Sequence, residues 1–225
     1  ALACDSQSAF GGIIACNGEV DEAVAQLMSG LFAEVIIAPG FSEAARDIFS
    51  KKKNLRLLPV LSPATRKNNA WPWDIRCIDG GVLVQSLDHE TTPVDEWQVV
   101  SQRQATPEDW HDLGFAWQVV RSVKSNAIVY AKEARTLGIG AGQMSRVDSA
   151  RVAAEKAALS GLSLKHAVMA SDAFFPFADS VEEAAKAGIR AIIQPGGSKR
   201  DGEVIAAADR HQILMVFTGR RHFRH

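Results

Sequence analysis

The sequence predicts an α/β fold in which helices cover both faces of a sheet. Short apolar runs that are typical of buried strands, such as residues 35–38 and 189–193, alternate along the chain with segments of helical pattern. Helix starts are clearly marked: Ser42 stands in a capping position, and Thr106 is followed by a proline and two acidic residues. Two alternating halves of this kind, divided near residue 90, predict two subdomains.

The first half contains three predicted strands and two predicted helices before a hairpin. The strands are expected at 12–15, 35–38 and 55–61, and the helices at 21–31 and from Ser42 to Lys53. Residues 62–74, which include two prolines, are predicted to form a loop between the subdomains. The next apolar runs, 75–78 and 81–85, flank Asp79-Gly80, a dipeptide that is typical of tight hairpin turns.

The second half starts with a surface connection at 88–96 and a helix from Pro107 to about Val120. Three aromatic residues of this helix are predicted to pack in the core, because aromatic residues that stack on bases usually sit among basic ones: Trp110, Phe115 and Trp117. The later strands are expected at 127–130, 137–139, 168–172, 189–193 and 213–217. The later helices are expected at 149–160, at 181–186 behind a Ser180 cap, and from Asp201.

Composition and charge exclude several classes of protein. The chain has 225 residues, of which 47% are hydrophobic and 23% charged, and its net charge of −1 gives no electrostatic case for binding nucleic acid or an anionic membrane. The sequence shows neither a membrane span nor a signal peptide. Three cysteines without a C-x-x-C pair favour a reducing compartment, by default the cytoplasm, and argue against disulfides and structural zinc.

The stretch from 123 to 151 carries the strongest local signal. Gly138, Gly140 and Gly142 allow a ligand to approach the backbone closely, and hydrogen-bond donors follow where the helix begins: Gln143, Ser145 and Arg146. This arrangement suits an anion. The glycines are equally compatible with close strand packing, and the pattern is not the G-x-G-x-x-G fingerprint of dinucleotide-binding proteins.

Several motifs, in order along the chain, resemble a single family. They are Ser8-Ala9-Phe10-Gly11-Gly12-Ile13-Ile14, Ile36-Ile37-Ala38-Pro39-Gly40, Ser125-Asn126-Ala127, Gly138-Ile139-Gly140-Ala141-Gly142-Gln143-Met144-Ser145-Arg146-Val147-Asp148, Ala170-Ser171-Asp172-Ala173-Phe174-Phe175-Pro176-Phe177, Gln194-Pro195-Gly196-Gly197-Ser198 and Arg221-His222-Phe223-Arg224-His225. Together they are similar to the transformylase part of the bifunctional family that joins 5-aminoimidazole-4-carboxamide ribonucleotide (AICAR) transformylase to IMP cyclohydrolase.

The resemblance implies a fold, a reaction and an assembly. The fold is cytidine-deaminase-like, a three-layer α/β/α arrangement with subdomains at 1–90 and 91–225. The reaction is formyl transfer from 10-formyltetrahydrofolate to AICAR, a step of purine biosynthesis on the way to IMP. The assembly is a cytoplasmic homodimer with sites shared across its interface and a potassium ion nearby, for which Ser125 and Asp172 supply oxygen ligands.

The resemblance also assigns residues to the two substrates. AICAR is contacted by Asn126, which also orients the formyl group, and by Phe10, Gly11, Glu34, Arg146, Phe174 and Arg221. Folate is contacted by Val147, Phe177, Asp179, Ser198 and Lys199. The residues alone also allow other interpretations: a strand-edge cap for Asn126, an exposed residue at the entry to a strand for Glu34, and ordinary surface residues for the arginines.

This sequence departs from the family pattern at two places. The Lys-His-x-Asn-Pro-Cys-Gly motif, whose Lys-His pair is assigned to proton transfer, is not found, and Lys165-His166 does not replace it because Ala-Val-Met follows. Ala178 stands where many relatives carry arginine. The zinc-binding motifs of deaminases are also missing from the sequence, so no zinc is expected.

We therefore expect a C-terminal portion of a longer polypeptide, without the cyclohydrolase part, that places substrates but does not catalyse formyl transfer by itself. Activity of the isolated chain would require another base, for which His166 and His222 are the candidates. Two other functions stay open: a non-catalytic nucleotide-binding or dimerisation module of the same fold, and a folate-binding regulator.

Overall fold

The computed structural model describes residues 2–5, 8–60, 73–88 and 92–224. The chain forms two compact units, a smaller one of residues 6–87 and a larger one of residues 88–225 together with 1–5. Most of the predicted loop at 62–74 lies outside the described residues. The assignment of 1–90 and 91–225 as two deaminase-like subdomains stays a prediction.

The smaller unit contains a three-stranded parallel sheet with the order β1-β2-β3. Its elements are β1 (Gly12–Ala15), α1 (Glu22–Ser29), β2 (Ala33–Ala38), α2 (Glu43–Ser50) and β3 (Arg56–Pro59). Ser42 caps α2 as predicted, because its side chain accepts a hydrogen bond from the backbone N–H of Ala45. A separate hairpin follows, formed by β4 (Trp73–Ile78) and β5 (Gly81–Ser86). Residues 73 and 74, predicted as loop, are therefore strand.

The helices of the smaller unit cover one face of its sheet, where Ile36, Ala45 and Phe49 are buried together. Residues of the other face are exposed, including Ile13 and Leu58. The prediction of helices on both faces is therefore wrong for the smaller unit, as far as its described residues extend.

The larger unit contains a six-stranded mixed sheet with the order β6-β11-β10-β9-β7-β8. After a 3-10 turn (Val94–Glu96) its elements are β6 (Gln98–Val99), α3 (Pro107–Val120), β7 (Ile128–Lys132), β8 (Arg135–Gly140), α4 (Arg146–Leu159), β9 (Val168–Ser171), α5 (Asp179–Lys186), β10 (Ala191–Gln194), α6 (Asp201–Arg210) and β11 (Leu214–Phe217). The strands β9, β10 and β11 are parallel, whereas β7 is antiparallel to both of its neighbours.

Helices cover both faces of this second sheet. Along β9, Val168 and Ala170 pack against α3, while Met169 between them packs on the side of α4, α5 and α6. Trp117 of α3 is fully buried, which confirms the prediction that its aromatic residues pack in the core. The predicted α/β class is confirmed, and the larger unit has three α/β/α layers.

Two helix starts differ from the prediction. The helix α4 begins at Arg146 rather than 149, because Ser145 caps it by accepting a hydrogen bond from the N–H of Asp148 at 3.1 Å. The helix α5 begins at Asp179, so Ser180 is a buried residue of its first turn and not its cap. Among the described residues, no helix is long and apolar enough to cross a membrane.

Candidate functional site

A cleft of about 400 Å³ opens at one edge of the larger sheet. The edge is the one where β7 begins and where β8 and β9 end, so it collects the loops that join these strands to α4 and α5. The cleft is lined by Asn126, Met144, Ser145, Arg146, Val147, Asp148, Arg151, Pro176, Phe177, Asp179 and Ser180. Its volume falls within the range of small-molecule sites. Five of the sequence-predicted site residues therefore lie in one cleft: Asn126, Arg146, Val147, Phe177 and Asp179.

The Asn126 side chain has a fixed amide orientation. Its Nδ2 donates to the backbone carbonyls of Gln143 at 2.9 Å and Met144 at 3.1 Å. Carbonyl oxygens only accept hydrogen bonds, so the NH₂ end must face them. Both donors of the amide are thereby used, and Oδ1 is left as the group that Asn126 can offer to a ligand.

Arg146 forms a largely buried ion pair with Asp172, in which Nη2 lies 3.3 Å from Oδ1. Burial lowers the pKa of Arg146 from its ordinary value and the Asp172 carboxylate opposes that shift, but a guanidinium stays charged at neutral pH. Arg146 Nε and Asp172 Oδ2 are buried without a hydrogen-bond partner among the described residues. Because unpaired buried polar atoms are costly, these two atoms are candidates for contact with a ligand or water.

The aromatic side chains of the loop after β9 lie partly in the core and partly in the cleft. Phe175 is fully buried among the residues under α4, α5 and α6, and Phe174 is half-buried. Phe177 is exposed over 49% of its surface and lines the cleft, with the Arg200 guanidinium carbon 5.0 Å from its ring centroid. The loop therefore offers one exposed ring to a ligand.

The remaining predicted folate contacts lie in two places. Val147 and the exposed Asp179 line the cleft, whereas Ser198 and Lys199 lie in the loop before α6 and are not among its lining residues. Ser198 is engaged locally, since its N–H donates to Asp201 at 3.1 Å.

Ser180 is a cleft residue that the sequence did not reveal. Its side chain is 1% exposed, and Oγ is buried without a hydrogen-bond partner in the described part of the chain. Aspartate and serine both favour helix N-caps, so the sequence indicated a cap at Ser180 and not a buried side chain at the cleft.

Ser125 and Asp172, the residues predicted to hold potassium, are each hydrogen-bonded to the segment that follows β11. Ser125 Oγ accepts from the N–H of Arg224 at 3.0 Å, and the backbone oxygen of Asp172 accepts from the N–H of His222 at 2.9 Å. One buried oxygen, Asp172 Oδ2, keeps the capacity to bind a cation. Within the described ranges, no cluster of three or more His, Cys, Asp and Glu side chains suits a metal ion.

The candidate bases lie away from the cleft lining. His166 is exposed, with a positive φ of 61°, and His222 is fully buried against Trp117. Arg221 is exposed, and its guanidinium carbon lies 5.0 Å above the centroid of the Phe223 ring.

The smaller unit brings three predicted nucleotide contacts together. Gly11 has a φ of 72° and donates to the carbonyl of Phe32 at 2.8 Å, while the Phe10 and Phe32 rings pack with centroids 4.7 Å apart. A Cβ at Gly11 would lie 3.7 Å from Oε1 of Glu34, so the carboxylate is next to this loop. Phe10 is 80% exposed, and together the three residues form an open polar and aromatic surface.

Two glycines of the central stretch serve helix packing. A Cβ at Gly138 would lie 2.1 Å from the carbonyl oxygen of Ala153, and one at Gly140 would lie 1.9 Å from that of Ser149. The helix α4 therefore packs directly on the backbone of β8, which places its N-terminus beside Asn126. Of the two interpretations that the sequence left open, close packing is the one that applies to Gly138 and Gly140.

Two solved deaminase structures share low similarity with this chain. The dCMP deaminase from cyanophage S-TIM5 is 14% identical with a TM-score of 0.35, covering 49% of this chain and 98% of the deaminase. A diaminohydroxyphosphoribosylaminopyrimidine deaminase/reductase from Thermotoga maritima is 17% identical with a TM-score of 0.33, covering 47% of this chain and 33% of that protein. At these TM-scores neither likeness bears on function.

Sequence comparisons are much more specific. The chain is 56% identical over 225 residues to the bifunctional purine biosynthesis protein PurH of Desulfitobacterium hafniense, in strain DSM 10664 / DCB-2 and in strain Y51. The match covers 100% of this chain and 42% of each relative, so the chain spans less than half of their length. The sequence profile of the AICARFT/IMPCHase bienzyme family matches residues 1–156. The chain belongs to the AICARFT/IMPCHase bienzyme family.

Proposed function

We propose that this chain carries part of the site at which a formyl group passes from 10-formyltetrahydrofolate to AICAR, within a longer bifunctional protein of purine biosynthesis. The observation that carries the proposal is the single cleft in which Asn126, Arg146, Val147, Phe177 and Asp179 meet. Its size suits a small ligand, and its walls combine an apolar ring, amide and carboxylate acceptors, and a guanidinium.

Asn126 orients the amine of AICAR in this proposal. Because Nδ2 is held by two backbone carbonyls, the amide has only Oδ1 to offer, and Oδ1 accepts a hydrogen bond from an N–H group. An acceptor beside the attacking amine fixes the direction of its lone pair, which is a contribution of positioning. A formyl oxygen requires a donor, so Asn126 does not hold it in this geometry.

Arg146 supplies donors for the oxygen atoms of the substrates. Its Nε–H is buried and has no acceptor among the residues described, and its planar fork suits a carboxamide oxygen or a developing oxyanion. The ion pair with Asp172 holds the guanidinium in place, and the 15% of the side chain that is exposed lines the cleft.

Folate binds beside these groups. Val147 and the half-exposed ring of Phe177 provide apolar surface for a flat pterin, and the exposed carboxylate of Asp179 accepts from its amino groups. Ser198 and Lys199 belong to the proposal only if the loop before α6 contacts the remainder of the folate. The proposal also includes a homodimer, a cytoplasmic location and a potassium ion at Asp172 Oδ2.

The chain binds substrates without catalysing formyl transfer in this proposal. The Lys-His motif that the family resemblance assigns to proton transfer is not found in this sequence. A positioned acid or base contributes on the order of 10²- to 10⁴-fold to rate. Formyl transfer by the isolated chain at the rate of a full-length relative would overturn this part of the proposal.

The test is titration calorimetry of the chain with AICAR. Asn126→Asp replaces a donor that faces two carbonyl oxygens with a carboxylate, and we expect it to weaken AICAR binding by about tenfold or more. Asn54→Asp makes the same change of charge at an exposed position after α2 and should leave binding unchanged. Failure of the unaltered chain to bind AICAR at millimolar concentration would overturn the substrate assignment, and equal affinity of Asn126→Asp would exclude Asn126 from the site.

A further inference from the structure

The segment that follows β11 is fastened beside the cleft by backbone hydrogen bonds. The N–H of His222 donates to the backbone oxygen of Asp172 at 2.9 Å, and Arg224 exchanges two hydrogen bonds with Ser125, at 2.8 Å and 3.0 Å. Asp172 is the ion-pair partner of Arg146, and Ser125 directly precedes Asn126. The segment therefore contacts the immediate supports of two cleft residues.

His222 is the residue whose side chain anchors this segment in the interior. Its side chain is 0% exposed, whereas Arg221, Phe223 and Arg224 on either side of it are exposed. The imidazole lies against Trp117 with ring centroids 4.9 Å apart. Burial of this aromatic ring attaches the segment to the interior by packing, in addition to its backbone hydrogen bonds.

Asp88 fixes the orientation of the His222 ring. Its Oδ2 lies 2.6 Å from Nδ1, and a carboxylate only accepts, so Nδ1 carries the proton. A buried ring that is held by packing and by one short hydrogen bond has a single orientation. The orientation of the ring also fixes the course of the backbone on both sides of His222.

We propose that the Asp88–His222 contact is a latch that positions Arg221, the adjacent residue, for the phosphate of the nucleotide. The exposed guanidinium of Arg221 suits a phosphate, but on an unfastened segment its position would not be fixed. His222 is thus a positioning residue that acts through Arg221. The identity of the ligand rests on the proposed function, whereas the latch itself does not.

The variants separate packing from the hydrogen bond. His222→Leu keeps an apolar side chain against Trp117 and removes the donor to Asp88, whereas His222→Asn places an amide donor near the position of Nδ1. His211→Leu is the matched control, because His211 also lies 2.6 Å from a carboxylate oxygen, that of Glu182, on the exposed surface after α6.

The first measurement is hydrogen exchange of residues 218–224 in the chain by mass spectrometry. The amides of His222 and Arg224 are protected by their bonds to Asp172 and Ser125, so we expect His222→Leu to speed their exchange at least about tenfold. His222→Asn should restore much of the protection, and His211→Leu should not change it. Unchanged exchange in His222→Leu would overturn the latch.

The second measurement is the affinity for AICAR and for its riboside, which lacks the phosphate. We expect Arg221→Ala and His222→Leu each to weaken AICAR binding about tenfold, to leave riboside binding unchanged, and to show no further loss when combined. Losses that multiply in the double variant would overturn the positioning of Arg221. If the unaltered chain binds neither compound, the proposed function fails and the exchange measurement alone decides the latch.

Discussion

Replacing Gly140 with alanine tests how the cleft is built. Gly140 ends β8, and its φ is outside the left-handed region, so an alanine there would meet no backbone strain. The obstacle is α4, because the added Cβ would lie 1.9 Å from the backbone oxygen of Ser149. An ordinary contact between carbon and oxygen is about 3.3 Å, so the helix must move back by about 1.4 Å.

A displacement of this size affects both stability and binding. Backbone atoms of a helix cannot rotate away as a side chain can, and overpacking of this kind typically costs about 1–3 kcal/mol in the free energy of unfolding. For a chain of this size that corresponds to a fall of about 2–12 °C in melting temperature. Because α4 carries Arg146 and Val147 at its N-terminus, AICAR affinity should fall as well.

The assay is thermal and urea unfolding of Gly140→Ala beside Gly114→Ala. Gly114 lies inside α3 with no atom within 4 Å of a Cβ built there, so its replacement should stabilise the protein by about 0.5–1 kcal/mol. Substitution of glycine by alanine is therefore expected to lower the free energy of unfolding at position 140 and to raise it at position 114. If Gly140→Ala were as stable as the unaltered chain and bound AICAR equally well, the close contact between β8 and α4 would not be what positions the cleft.

Two further predictions concern stability in the larger unit. Ala134 has a φ of 49° in the turn between β7 and β8, so Ala134→Gly should raise the free energy of unfolding by about 1 kcal/mol, measured by urea unfolding. Burial tends to raise the pKa values of Asp109 and Asp112, but hydrogen bonds from backbone N–H groups and from Arg190 outweigh it and hold both below the ordinary 3.8. Groups with lowered pKa values stabilise the fold above 3.8 and lose that contribution as pH falls further. The fall in urea midpoint from pH 5 to pH 3 should therefore be smaller in Asp112→Asn, and an equal fall would contradict this assignment.

Features that depend on neighbouring residues could be predicted from the sequence. Thr106 caps α3 as expected, accepting from the N–H of Asp109 at 3.2 Å while Asp109 accepts from the N–H of Thr106 at 3.0 Å. The Asp79-Gly80 hairpin and the β7 strand also lie where the pattern put them. These features depend on contacts within a few residues, which a sequence shows directly.

Features that depend on distant contacts could not be predicted. The turn at Glu133 and Ala134 has two positive φ angles without the usual Asn-Gly sequence, and Asp112 of α3 stabilises it by accepting from the N–H of Ala134 at 3.1 Å. The start of α5 was misplaced because its cap carries no side-chain hydrogen bond, and Ser180 is buried by the packing around it. Likewise, the orientation of the Asn126 amide is set by the carbonyls of Gln143 and Met144, which are 17 and 18 residues away in sequence, beyond the β7–β8 hairpin.

The charges of the cleft bear on which part of AICAR it suits under the proposed function. Two arginines and two aspartates line it, Arg146, Arg151, Asp148 and Asp179, and Arg146 is further neutralised by Asp172. At the N-terminus of α4, the N–H of Asp148 is already bonded to Ser145, so this first-turn donor is not available to an anion. A balanced cleft of this kind suits neutral heterocycles and amides better than a phosphate dianion. The phosphate then needs cationic groups from outside the cleft, and this requirement is an independent reason to test Arg221 and the segment that His222 fastens.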